Sequence, residues 1–156
     1  MGQISLAKGK AVKPVRVMQW GLGAMGSGMA RLMLQKESIK LVAAYEKRPE
    51  GQGQDLAKTL ELKKATGIIV GSDPMKEIKK HKPDVVIMAT CSTVKESYEE
   101  IIPVIEQGIN VITIAEEMAY PWANEPKLSD KIHKAAVKNG VVVLGTGINP
   151  GFVLDA

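Results

Sequence analysis

The chain has 156 residues, the length of one ordinary domain, with 45% hydrophobic, 24% charged and 4% aromatic residues. That composition excludes a disordered chain and calls for an aliphatic core; no apolar run nears the roughly 18 residues of a membrane span. One cysteine, Cys91, excludes an internal disulfide and a cysteine-built metal site, and a net charge of +4, scattered as lysines without interleaved aromatics, argues against nucleic acid as a partner.

Residues 1–13 are polar, basic and aperiodic, and are expected as a flexible arm outside the fold. Val15–Trp20 reads as a strand and 21–28 as a glycine-dense turn. Met25, Met29, Leu32 and Met33 recur at the spacing of a helical apolar stripe. Residues 41–45 form a second strand. The polar stretch 48–67 holds a short helix at 54–60, and 67–70 is a third strand. Asp73 begins a helix with Pro74 at its first position, ending near His81. Residues 84–90 have the apolar run of a buried parallel strand. Tyr98, Ile101, Ile102 and Ile105 mark a helix that Pro103 should kink or split. Residues 110–115 are a fifth strand. Leu128, Ile132, Ala135 and Ala136 mark a last helix ending at Asn139-Gly140, and 141–145 are a sixth strand. Strands alternating with helices predict an α/β fold over residues 14–147. It is a doubly wound parallel sheet covered on both faces, in the order 3-2-1-4-5-6 of a Rossmann dinucleotide-binding domain.

Gly21-Leu-Gly-Ala-Met-Gly26 is a G-x-G-x-x-G run between a strand and a helix, the context that gives the pattern meaning. Gly21 permits the tight turn, Gly23 lets a pyrophosphate approach the backbone, and Gly26 lets the helix pack closely. The helix N-terminus offers unpaired N–H donors and partial positive charge to phosphates. Glu46 follows the third glycine by about 20 residues, where this fold places the acid that accepts the ribose hydroxyls of NAD. Lys47 and Arg48 come next, and could grip the 2′-phosphate of NADP through charge-assisted bonds of roughly 1.5–3 kcal/mol each. The effects oppose one another, so both cofactors are expected, with the preference open.

Ligands of such sheets lie beyond the carboxyl ends of the strands. Ala89, Thr90, Cys91 and Ser92 at the fourth strand should therefore line the path to the nicotinamide. Cys91 reads as a small residue beside the cofactor rather than a nucleophile, having no histidine nearby in sequence. Glu116 and Glu117, after the fifth strand, are either surface charge or carboxylates able to pair with an amine substrate and accept its proton. His81 and His133 sit among lysines and read as surface residues.

The run Trp20-Gly-Leu-Gly-Ala-Met-Gly-Ser-Gly28 resembles the N-terminus of the 2,4-diaminopentanoate dehydrogenases, as do Ile114-Ala-Glu-Glu-Met-Ala-Tyr-Pro-Trp122 and Gly145-Thr-Gly-Ile-Asn-Pro-Gly-Phe-Val-Leu-Asp155. The last two are the more specific. The family acts in ornithine fermentation and is similar to dihydrodipicolinate reductase in its cofactor domain. The resemblance implies oxidative deamination of 2,4-diaminopentanoate to 2-amino-4-oxopentanoate with hydride transfer to NAD or NADP. It implies that Gly21, Leu22, Gly23, Ala24, Met25 and Gly26 hold the pyrophosphate and that Glu46, Lys47 and Arg48 meet the adenosine ribose. Thr90, Cys91, Ser92, Ala115 and Glu116 would approach the nicotinamide, and Asn149 the junction with a substrate domain. Glu117 is the candidate catalytic residue.

Family members are roughly twice this length, and their second domain supplies the substrate pocket and the contacts of a homo-oligomer, a dimer. Residues 148–156 are accordingly expected as the start of a linker to an absent substrate domain, so the chain should bind cofactor and turn over little. The alternative is a non-catalytic NAD(P)-binding sensor. An S-adenosylmethionine methyltransferase is a third reading, although its loop usually lacks this glycine spacing. The N-terminus has no secretory signal, which with a lone cysteine suits the cytoplasm.

Overall fold

A computed structural model describes residues 13–147. The arm at 1–12 and the linker at 148–156, with Asn149, lie outside the described residues. Six parallel strands form one sheet: β1 (Val15–Trp20), β2 (Ile39–Tyr45), β3 (Val70–Gly71), β4 (Val85–Met88), β5 (Asn110–Thr113) and β6 (Val143–Gly145). Their order is β3-β2-β1-β4-β5-β6, as the sequence predicts. The helices are α1 (Ala24–Met33), α2 (Leu56–Thr59), α3 (Pro74–His81), α4 (Val94–Ile105) and α5 (Pro126–Asn139). Short 3-10 turns at Pro49–Gly51 and Glu116–Ala119 complete the course.

The core divides at the sheet. Met18, Val86 and Met88 pack with Ile78, Ile101, Ile105 and Ile132 of α3, α4 and α5 on one face. Val17, Leu41 and Val70 pack with Ala30, Met33, Leu56 and Leu60 on the α1 and α2 face. Complete burial of a side chain such as Ile101 is worth about 1.5–3 kcal/mol. Cover is uneven, however. In β4, Val86 and Met88 are buried while Val85 and Ile87, on the α1 face, are only half-buried. β5 and β6 continue that trend, with Ile112 half-buried and Leu144 exposed.

Local chemistry sets the boundaries. The Asp73 carboxylate accepts from the N–H groups of Met75 and Lys76, and Pro74 pre-sets the first turn of α3. Gly140 takes the left-handed conformation that ends α5. Pro103 does not split α4, which runs unbroken through it. Its missing N–H leaves only the Glu99 carbonyl without a helical donor, at an exposed residue, and buried Ile101, Val104 and Ile105 hold the turn down.

Two further expectations are corrected, and one irregularity is new. The third strand shrinks because Ile68 and Val70 bond to Leu56 and to Gly53 and Gln54, so the segment pairs partly with the loop before α2. The face that α1 buries is Gly26, Ser27, Ala30 and Met33, while Met25 and Leu32 are exposed. Small residues face the sheet because α1 lies too close for a methionine stripe. Between Val17 and Met18 the register with β2 shifts: Val17 pairs with Leu41 but Met18 with Ala43. Val42 is the extra residue, and both Val42 and Ala43 pack toward the α3, α4 and α5 face.

Candidate functional site: a dinucleotide cleft at the strand ends

The site lies where the strand order reverses, between β1 and β4. Each motif glycine meets a different constraint. Gly21 has φ of +90°, and a Cβ there would stand 2.5 Å from the Ala89 carbonyl oxygen. A Cβ on Gly26 would stand 2.0 Å from the Gly21 carbonyl oxygen. A Cβ on Gly23 would meet nothing within 4 Å. The first two glycines are thus required by the protein's own packing, whereas Gly23 faces open space at the start of α1. Gly23 is the N-cap and supplies no side-chain cap, so the first N–H groups of α1 remain available to an anion.

Glu46 is 8% exposed and heavily bonded. Its Oε2 accepts from the Leu22 N–H at 2.8 Å, and its Oε1 accepts from the Arg48 N–H at 3.0 Å and Nε at 3.2 Å. Burial pushes its pKa up, but the bonds from Arg48 and Leu22 outweigh burial and hold it below the usual carboxylate value. The expected ribose acceptor is therefore also a brace for the glycine loop. Lys47 and Arg48 are exposed beside it.

A cleft of about 690 Å³ runs from Gly21 and Gly23 past Glu46, Lys47 and Arg48 to Ala89, Thr90 and Cys91. A smaller hollow of about 240 Å³ adjoins it, lined by Gly23, Ala24, Met25, Ser92 and Glu116 among others. The two hollows together bring the expected residues of four strand ends, those of β1, β2, β4 and β5, to one edge of the sheet. Leu22 is 4% exposed and lies under the loop, facing a third hollow of about 500 Å³ shared with Glu46, Arg48 and Lys58. Ala115 is fully buried and lines neither of the first two hollows.

The two candidate carboxylates part company. Glu116 is exposed at the smaller hollow, and the Ser92 hydroxyl with its own backbone N–H holds its pKa below the usual value. Glu117 turns away, and its Oε2 accepts from the Val94 N–H at 2.8 Å at the start of α4. Its carboxylate thus satisfies a helix end rather than reaching the cleft. Burial pushes the Cys91 thiol pKa up, and its Sγ lies 3.4 Å from Ser97 Oγ, so thiolate is scarce there.

Sequence reasoning missed the far wall of the cleft, formed by Glu96, Glu99 and Glu100 of α4. Glu100 accepts a hydrogen bond from the Thr90 hydroxyl, and burial still raises its pKa. These acids lie on the polar face of a helix, where nothing in the sequence marks them. Gln19 was also missed. It is fully buried, and a lone amide inside an apolar strand is a signal that could have found it.

Residues 15–114 match the family described as dihydrodipicolinate reductase, N-terminus. The chain is 40% identical over 151 residues to the 2,4-diaminopentanoate dehydrogenase of Acetoanaerobium sticklandii, an alignment that covers 92% of this chain and 41% of that protein. Among solved structures, the amine dehydrogenase from Mycobacterium smegmatis matches with a TM-score of 0.83 at 33% identity, covering 88% of this chain and 40% of that one. GenD2 from gentamicin A biosynthesis, solved in complex with NAD, has a TM-score of 0.64 at 20% identity, covers 98% and 40%, and shares the fold alone. This chain spans about two fifths of the length of these relatives. The matched segment runs from β1 through β5 and takes in the glycine loop, Glu46 and the β4 strand end, and on that match the chain belongs to the dihydrodipicolinate reductase N-terminal family.

Proposed function

We propose that this chain is the NAD(P)-binding part of an oxidoreductase that oxidatively deaminates 2,4-diaminopentanoate to 2-amino-4-oxopentanoate. The observation that carries the substrate is the 40% identity, across 92% of the chain, to a protein named for that reaction. The cleft supports the cofactor independently. Open space at Gly23, free N–H groups at the start of α1 and a carboxylate at the end of β2 fit a pyrophosphate joined to a ribose.

The nicotinamide, when bound, supplies the hydride acceptor. The substrate loses hydride from the carbon bearing the amine, water adds to the resulting iminium, and ammonia leaves. The protonated amine, oxidised cofactor and water thus give ketone, ammonium, reduced cofactor and a proton. In this reading Gly21–Gly26 seat the pyrophosphate, and Glu46, Lys47 and Arg48 receive the adenosine ribose. Thr90, Cys91, Ser92 and Glu116 border the nicotinamide. Glu117 acts by fixing the turn that carries Glu116, because its carboxylate is engaged by α4. The same reading places the enzyme in the cytoplasm as a homodimer acting on a small amine.

The test is a chimera joining this chain to the part of the Acetoanaerobium protein it does not cover. The chimera should release one ammonia per reduced cofactor formed from 2,4-diaminopentanoate, while the chain alone binds cofactor without comparable turnover. A folded chimera that binds NADH but leaves 2,4-diaminopentanoate unreacted would overturn the substrate assignment and favour the sensor.

A further inference from the structure

Gln19 is fully buried in β1, between apolar Met18 and Trp20. Its Nε2 donates to the Gly21 carbonyl at 3.0 Å and to the Trp20 carbonyl at 3.4 Å. Its Oε1 has no hydrogen-bond partner among the described residues. A buried amide oxygen without a partner destabilises the fold. A methionine of the same length would fill this place without that penalty. The glutamine therefore needs a reason other than packing.

The loop geometry supplies one. A peptide unit is planar and trans, so its C=O and N–H point in opposite directions. In the unit joining Gly21 to Leu22, Gln19 takes the carbonyl and Glu46 Oε2 takes the N–H at 2.8 Å. Both ends of that plane are held. In the next unit the Ser27 hydroxyl takes the Leu22 carbonyl at 2.8 Å, which turns the Gly23 N–H the opposite way, toward the open side of the loop. Ser27, like Gln19 and Glu46, is a buried polar residue. Released, the first plane could rotate and turn the Gly21 carbonyl toward the place a phosphate occupies, with two negative oxygens facing one another. Gly21 has the backbone freedom to do so.

We infer that Gln19, seconded by Ser27, is a positioning residue that pins the peptide planes of the glycine loop so that N–H groups rather than carbonyls meet the pyrophosphate. The inference rests on dinucleotide binding and not on the substrate assignment. It also explains why Gly26 is closed to side chains, since a Cβ there would stand 3.1 Å from Gln19 Nε2 as well as against the Gly21 carbonyl.

The experiment compares NADH, ADP and adenosine binding to the chain, Gln19→Met and Gln19→Glu. Gln19→Met should keep or raise the thermal midpoint yet weaken NADH and ADP by roughly three- to tenfold, the worth of one hydrogen bond. Adenosine, which has no phosphate, should be unaffected. In Gln19→Glu the introduced carboxyl can donate to the Gly21 carbonyl only while protonated. Burial raises its pKa, so affinity should match the parent at low pH and fall as pH rises through that value. Equal NADH affinity in Gln19→Met and the parent, an adenosine loss as large as that of ADP, or a flat pH profile in Gln19→Glu would each overturn the inference. Should Gln19→Met fail to fold, the Gln19→Glu profile decides alone. A parent chain that binds neither NADH nor NADPH would instead overturn the cofactor reading itself.

Discussion

Around the carboxyl ends of β1 and β2, Gln19, Ser27 and Glu46 are buried and direct their hydrogen bonds to the backbone of one loop. At the opposite edge, beside β6, Val142 and Leu144 are 64% and 50% exposed, and Trp122 and Val137 stand open next to an apolar groove of about 410 Å³. One region spends buried polar groups on a fixed backbone. The other leaves aliphatic side chains in water. Buried polar groups are concentrated where an anion must be met, and the far edge of the sheet leaves large apolar side chains exposed.

Substitutions can break that contrast. Gly26→Ala should strain the fold most, since its Cβ would sit 2.0 Å from a backbone oxygen. We expect a loss of about 3 kcal/mol, the upper part of the overpacking range, in chemical denaturation. Gly23→Val should do the reverse, leaving the thermal midpoint near that of the parent and abolishing NADH and NADPH binding in calorimetric titration. Retained affinity would mean the phosphates lie elsewhere.

Glu46→Ala should weaken NADH by about tenfold, the effect of losing a charged hydrogen-bond partner. NADPH should weaken less, because Arg48 is freed for the 2′-phosphate. Equal losses would show that the acid acts through the Leu22 N–H alone.

Acid sharpens the comparison at a third place. The Asp55 carboxylate accepts from the N–H groups of Ala57, Thr66 and Gly67 and from the Thr66 hydroxyl, which hold its pKa at about 2 against 3.8 for a free group. A lowered folded pKa stabilises above the unfolded value and is lost as pH falls through the folded one. The thermal midpoints of the parent and Asp55→Asn should therefore converge as pH drops from 3.8 toward 2. The smallest effect is expected at the open edge. Leu144→Lys should change stability by no more than about 0.5 kcal/mol. A loss above about 2 kcal/mol would show that β6 is packed after all.

Much of this was legible in the chain. Alternating apolar runs and amphipathic stretches predicted the α/β architecture, whose expected strand order the sheet follows, and Asp73-Pro74 and Gly140 marked two helix ends where they fall. What escaped was set by contacts distant in sequence. The buried face of α1 is chosen by how closely Gly26 approaches Gly21, so the apolar pattern of Met25 and Leu32 pointed to the wrong side. The third strand was overextended because a run of isoleucines pairs with a loop as readily as with a strand. Glu116 and Glu117 are alike in sequence, and only the placement of Val94 tells them apart.

The unpaired residue in β2 carries a consequence for how this strand tolerates change. Because side chains alternate across a sheet, Val42 inverts the parity of everything after it, and that inversion puts Glu46 on the side of Leu22. A single-codon deletion at Val42 would remove the bulge, restore plain alternation from Leu41 to Ala43 and leave Glu46 on the side of Leu22. Length drift in descendants of this gene should therefore be tolerated at this strand as loss of the one unpaired residue, with other odd steps confined to the loops on either side.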